Sequence, residues 1–98
     1  MSSRLEVDIE GRVCDYARKT GWTPAKLVNL RERGWPDRWF LRPGPFIIII
    51  EFKRPGQKLR PLQEYKCRFL RGLGFDVYEG VTDFDTAKRI LDTASLPN

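Results

Sequence analysis

Asp37-Arg-Trp-Phe-Leu-Arg-Pro-Gly-Pro-Phe-Ile-Ile-Ile-Ile-Glu-Phe-Lys53 is the stretch whose reading decides the fold. Two strand-like stretches, 37–41 and 46–53, flank Arg42-Pro-Gly-Pro45, and that turn chemistry predicts a hairpin. Four consecutive isoleucines predict a central strand covered on both faces. The run then ends on Glu51 and Lys53, two residues apart and so on one side of the strand. A three-residue loop Pro43-Gly44-Pro45 pairs Arg42 with Phe46 and sets Asp37 opposite Glu51 on the same face. A two-residue loop sets Ile50 there instead. Facing carboxylates repel, and a shared divalent cation offsets that repulsion. Without the cation, replacing Glu51 by Gln is expected to stabilise the protein.

Working outward, the flanks read as helices. Ser2 or Ser3 caps a first helix with apolar positions Leu5, Ile9, Val13, Tyr16 and Ala17, stopped by Gly21. Thr23-Pro24 breaks the chain, and Lys26-Leu-Val-Asn-Leu30 reads as a short strand. Pro61 opens a second helix with one apolar face of Leu62, Tyr65, Phe69, Leu70 and Leu73, with stops at Gly72 and Gly74. Phe75 to Tyr78 reads as a strand. Thr82-Asp-Phe-Asp85 resembles a capping box opening a last helix, and Leu96-Pro97-Asn98 is expected to fray. The order αβββαβα predicts an α/β (α+β) fold, a small mixed sheet flanked by helices, as a single domain spanning 1–98.

Composition narrows the chemistry. With 98 residues, 41% apolar and 32% charged, the chain is expected to fold around one core. The absence of histidine excludes Ser-His-Asp hydrolysis, His-ligated zinc and a histidine general base. Cys14 and Cys67 are too few for a Cys-ligated zinc site and read as reduced core residues. The longest apolar run, Phe46 to Ile50, is far short of a membrane span, and no signal peptide is legible. These features predict a cytoplasmic protein. The net charge of +5 is uneven: residues 51–71 carry 7 basic and 2 acidic groups, while 72–98 carry 2 and 5. A basic middle fits a polyanion partner as well as a solvated surface.

Oxygen ligands beside phosphates suit Mg²⁺ or Mn²⁺, which polarises a phosphoryl oxygen and lowers the pKa of bound water. Lys53, on the same face, is placed to orient that water or to neutralise transition-state charge. A third carboxylate is expected from the first helix, from Glu6 or Glu10.

Taken together, Gly34-Trp-Pro-Asp37, Glu51-Phe-Lys53, Arg54-Pro-Gly56 and Arg60-Pro-Leu-Gln63, with Ile9-Glu10 on a helix running to Gly21, resemble the VRR-NUC (virus-type replication-repair nuclease) branch of the PD-(D/E)xK superfamily. The resemblance covers residues 9 to about 91 and implies a restriction-endonuclease-like core with a metal-dependent phosphodiesterase site. It implies Asp37, Glu51 and the Phe52 carbonyl as ligands of Mg²⁺ or Mn²⁺, Lys53 as the catalytic lysine, and Gln63 near the phosphate or attacking water. It favours Glu10 over Glu6, as a further ligand directly or through water. Stand-alone members of the family resemble Holliday-junction resolvases that act as homodimers on branched DNA, in bacteria and phage-infected cells. No nucleotide cofactor is implied.

Arg31, Arg33, Arg38, Arg54, Lys58, Arg60 and Lys66 are then expected to grip backbone phosphates, with Arg68 and Arg71 either joining them or lying on a solvated surface. Trp22, Trp35 and Trp39 are candidates to stack on unpaired bases, Trp39 being the one better read as core and Trp35 as an exposed wedge. The expected function is a structure-selective DNA endonuclease. Its rivals are a non-catalytic branched or single-stranded nucleic-acid-binding module of the same fold, and an interaction subunit for an acidic protein.

Overall fold

The computed structural model describes residues 3–28 and 32–94, with side chains described from Val7 onward. The elements run α1 (Ser3–Lys19), β1 (Thr23–Lys26), β2 (Arg38–Arg42), β3 (Phe46–Phe52), α2 (Pro61–Gly72), β4 (Asp76–Val81) and α3 (Phe84–Ala94). This is the expected αβββαβα order, an α+β fold. The sheet order is β1-β2-β3-β4, antiparallel except for the parallel pair β3/β4 that α2 connects.

β3 is the spine of the sheet. Ile48, Ile50 and Phe52 face a layer built from α1 and α3, where they pack with Val13, Ala17, Phe40, Val81, Ala87 and Leu91. Ile49 faces the other way, onto Cys67 and Leu70 of α2 and onto Val77. Cover on both sides is why the strand reads as an unbroken apolar run. Truncating Ile48, Ile49 or Ile50 to Ala is expected to cost about 2–5 kcal/mol.

Four features differ from the sequence reading. The first strand is Thr23–Lys26 and contains Pro24. It lies at the sheet edge, where a missing N–H costs no ladder bond. Of the expected 26–30 strand, Asn29 and Leu30 lie outside the described residues, as does the 96–98 tail. β4 is displaced to Asp76–Val81. α3 is capped by Asp83 rather than Thr82: the Thr86 amide donates to Asp83 Oδ2 at 2.9 Å, and this bond together with that of the Thr86 hydroxyl holds the Asp83 carboxyl below the usual range.

The fourth difference concerns α2. Its buried residues are Lys66, Cys67 and Leu70, while Leu62, Tyr65, Phe69 and Leu73 are exposed. Two stripes at helical spacing compete on this helix, and the less apolar one turns inward because it carries Cys67 and Leu70 onto Ile49.

Candidate active site

The β2/β3 register pairs Arg42 with Phe46 and Arg38 with Ile50, as the three-residue loop requires. Continued by one residue, it sets Asp37 opposite Glu51. β4 then reshapes the strand end. Glu51 pairs with Glu79 but Phe52 pairs with Val81, so Gly80 is an extra residue in β4. Gly80 has φ +72°, a conformation that favours glycine. Beyond the bulge the Lys53 amide still donates to the Val81 carbonyl at 2.8 Å, which keeps Lys53 aligned past the end of β3.

Glu51 and Lys53 are only 8% and 7% exposed, and Lys53 Nζ lies 3.8 Å from Glu51 Oε2. Burial of opposite charges demands such mutual proximity. Gln63, in the first turn of α2, closes the group from the other side. Its Oε1 accepts from the Arg60 amide at 2.8 Å and its Nε2 donates to Glu51 Oε2 at 3.2 Å. One side chain therefore both caps α2 and holds the Glu51 carboxylate.

The other expected ligands have partners outside this cluster. The Asp37 side chain is 47% exposed, 3.9 Å from Lys26 Nζ at Oδ2. Its backbone carbonyl accepts from the Leu27 amide at 2.7 Å. Glu10 Oε2 accepts from Arg38 Nε at 2.8 Å and from the second guanidinium nitrogen at 2.5 Å, with both side chains mostly buried. α1 packs on the Ile48/Ile50 face, opposite to Ile49. Among the described residues no three carboxylate, thiol or imidazole groups converge to hold a metal ion. The donors that remain are two carboxylates and the Phe52 carbonyl, oxygen atoms of the kind that hard divalent cations take.

The basic residues divide into two groups. Arg33, Arg54, Lys58, Arg60 and Arg68 are exposed. Arg38 is engaged by Glu10, and Arg71 pairs with Glu79 at 2.7 Å. Lys66 is buried, with Nζ 4.1 Å above the Trp35 ring and 3.4 Å from Glu32. Its charge is engaged by Glu32 and the Trp35 ring, contrary to a place on a phosphate-gripping surface. Arg31 lies outside the described residues.

The tryptophans separate as well. Trp22 is buried in the core, with Arg42 5.3 Å above its ring, which removes it from base stacking. Trp39 belongs to the α2-side core and donates to the Pro36 carbonyl at 3.0 Å. Trp35 is half-buried and meets Phe69 edge-on, 6.1 Å between centroids. Gly34, at φ +89°, lets the chain pass Leu62, whose Cγ a Cβ there would approach to 2.7 Å. Sequence reading did not single out Glu32, and it set Tyr65 and Phe69 on the core face of α2, whereas both are exposed.

The chain is 38% identical over 72 residues to a protein of Acyrthosiphon pisum secondary endosymbiont phage 1 named "Putative nuclease p44", covering 74% of this chain and 77% of that one. No family model matches. A solved structure named "VRR_NUC domain" superimposes with a TM-score of 0.80 at 21% identity, over 90% of this chain and 95% of that one. The chain belongs to the family of that phage protein. On its VRR_NUC-like fold the Glu51-Phe-Lys53 triplet stands at the bulged end of the buried strand, where its backbone is tied to β4 and its carboxylate to α2. No helix of the described residues is long and apolar enough to cross a membrane.

Proposed function

We propose that this chain is a metal-dependent endonuclease that hydrolyses phosphodiester bonds in branched DNA as a homodimer. One observation carries the reading. A carboxylate and an ammonium are buried side by side at the end of the central strand, held by Gln63, with a second carboxylate across the hairpin register. A structural surface ion pair needs no such burial and no third side chain to orient it.

Asp37, Glu51 and the Phe52 carbonyl would hold Mg²⁺ or Mn²⁺, which when bound polarises the scissile phosphate and acidifies a bound water. Lys53 supplies a fixed positive charge beside the phosphate and a donor to the attacking water or a nonbridging oxygen. Gln63 keeps the Glu51 carboxylate in one orientation. Glu10 enters through Arg38, which it holds against the opposite face of the sheet. Exposed Arg33, Arg54, Lys58 and Arg60 supply the sequence-independent phosphate grip. A two-fold dimer would place two such sites in fixed relation, as paired cuts across a four-way junction require.

A second reading, a branched-DNA-binding module without catalysis, is favoured by the absence of three converging acidic groups among the described residues. Incubation with nicked, flap and four-way DNA, in Mg²⁺, Mn²⁺ or EDTA, separates the two. Metal-dependent cleavage supports the nuclease. Binding without cleavage in either metal supports the module.

A further inference from the structure

Tyr65 and Phe69, one turn apart on α2, are 54% and 46% exposed although both are large and aromatic. With Trp35, Glu32 and Lys66 they line a cleft of about 200 Å³. That is below the ~300–1,000 Å³ of pockets that enclose drug-sized molecules, and suits a single flat ring system. Trp35 is fixed at its floor, donating from Nε1 to Glu32 Oε2 at 3.0 Å under the Lys66 ammonium. Among the described residues Tyr65 has no hydrogen bond, ion pair or ring contact, so its ring face is free to stack. A neighbouring cavity of about 400 Å³ is lined by Lys26, Arg33, Gly34 and Asp37, and it shares Trp35 and Glu32 with the cleft. The aromatic cleft therefore adjoins one of the two candidate ligand carboxylates.

We propose that this cleft receives one unpaired base of the DNA strand being cut, stacked against Tyr65 and Phe69, next to the phosphate that a cation at Asp37 would bind. The proposal rests on the nuclease reading and names how that site would select its substrate. Its occupant follows from charge. Glu32 at the cleft wall repels a phosphate, and Lys66 neutralises it locally, so the interior accepts a neutral ring face. Exposed Arg33 and Arg68 flank this interior and suit the phosphates on either side of the base. Aromatic rings between basic residues are the general pattern of single-strand recognition, and stacking accepts any base.

The test compares a nicked, fully paired duplex with a flap of the same sequence carrying 2-aminopurine at the first unpaired position. The wild type is expected to quench the 2-aminopurine and to cleave the flap faster than the duplex. Tyr65→Ala should abolish the quenching and lower the flap-to-duplex rate ratio about tenfold, within the range for one lost base stack. Tyr65→Phe, which keeps the ring, should restore both. Quenching and rate ratio unchanged in Tyr65→Ala overturn the proposal while leaving the nuclease intact. So does a wild-type dimer that Tyr65→Ala splits with the ratio unchanged, because the cleft then seats a second copy. Failure of the wild type to bind or cut any DNA overturns both readings.

Discussion

Gln63 Nε2 donates to Glu51 Oε2 at 3.2 Å while Gln63 Oε1 accepts from the Arg60 amide at 2.8 Å, so the orientation of a buried carboxylate is tied to the start of α2. Gln63→Glu keeps an acceptor for the helix but replaces the donor to Glu51 by a like charge. Cleavage is expected to fall about tenfold or more, while α2 and its N-terminal bond persist. Steady-state rates and far-UV circular dichroism check this together. Full activity with unchanged melting would remove Gln63 from the site.

The Glu51–Lys53 pair reverses an expectation drawn from facing carboxylates. Glu51 lies 3.8 Å from a buried ammonium, so Glu51→Gln leaves Lys53 buried with weakened compensation. The metal-free variant is expected to lose about 1–3 kcal/mol. Urea denaturation in EDTA measures it, and a gain in stability would restore the repulsion account.

Glu10 and Arg38 are mostly buried together, with two hydrogen bonds between them. Arg38→Met is expected to cost roughly 1.5–3 kcal/mol in the range of charge-assisted bonds, and Glu10→Gln less. If Glu10→Gln keeps full stability and abolishes cleavage, Glu10 instead leaves Arg38 to serve the reaction.

How much of this was legible in the sequence differs by element. The β2/β3 hairpin was legible because Ile47 to Ile50 fix which strand is central, but its register was not: Pro43-Gly44-Pro45 allows a two- or a three-residue loop, and the structure has the three-residue one. The placement of α2 was not. Leu62, Tyr65, Phe69 and Leu73 outrank Lys66, Cys67 and Leu70 in apolarity, and only the sheet's demand for small and aliphatic contacts at Ile49 selects the second set. Glu51-Phe-Lys53 announced itself by charge at the end of an apolar run. The engagement of Glu10 by Arg38 did not, because it joins residues 28 apart across two elements.

Asp92 accepts from the Tyr16 hydroxyl and the Lys88 ammonium, joining α1 to α3. The Tyr16 hydrogen bond, with smaller help from Lys88, holds the Asp92 carboxyl below its ordinary range. A carboxyl lowered by folding adds stability above its unfolded pKa, and that stability is lost as pH falls through the folded value. Asp92→Asn should therefore melt lower than wild type at neutral pH and converge with it as pH falls from the unfolded value of about 3.9 through the lower folded one. Thermal melts across that range decide it, and a gap that is constant with pH would exclude the ionised group.

Both thiols are buried, and burial pushes Cys67 up to about 11 and raises Cys14. Neither should react with a disulfide reagent at pH 8 until the protein unfolds. Rapid labelling of the native protein would place one of them at the surface.

The central claim is that Asp37, Glu51 and Lys53 form a metal-dependent hydrolytic site beside a separate phosphate grip. Cleavage of a labelled four-way junction in Mn²⁺, measured in parallel with binding in Ca²⁺ or EDTA for wild type and Lys53→Ala, tests it most directly. The account predicts metal-dependent cutting by the wild type, a loss of several orders of magnitude in Lys53→Ala, and binding retained within a few-fold. Near-normal turnover by Lys53→Ala, or cutting by the wild type that persists undiminished in EDTA, would contradict it.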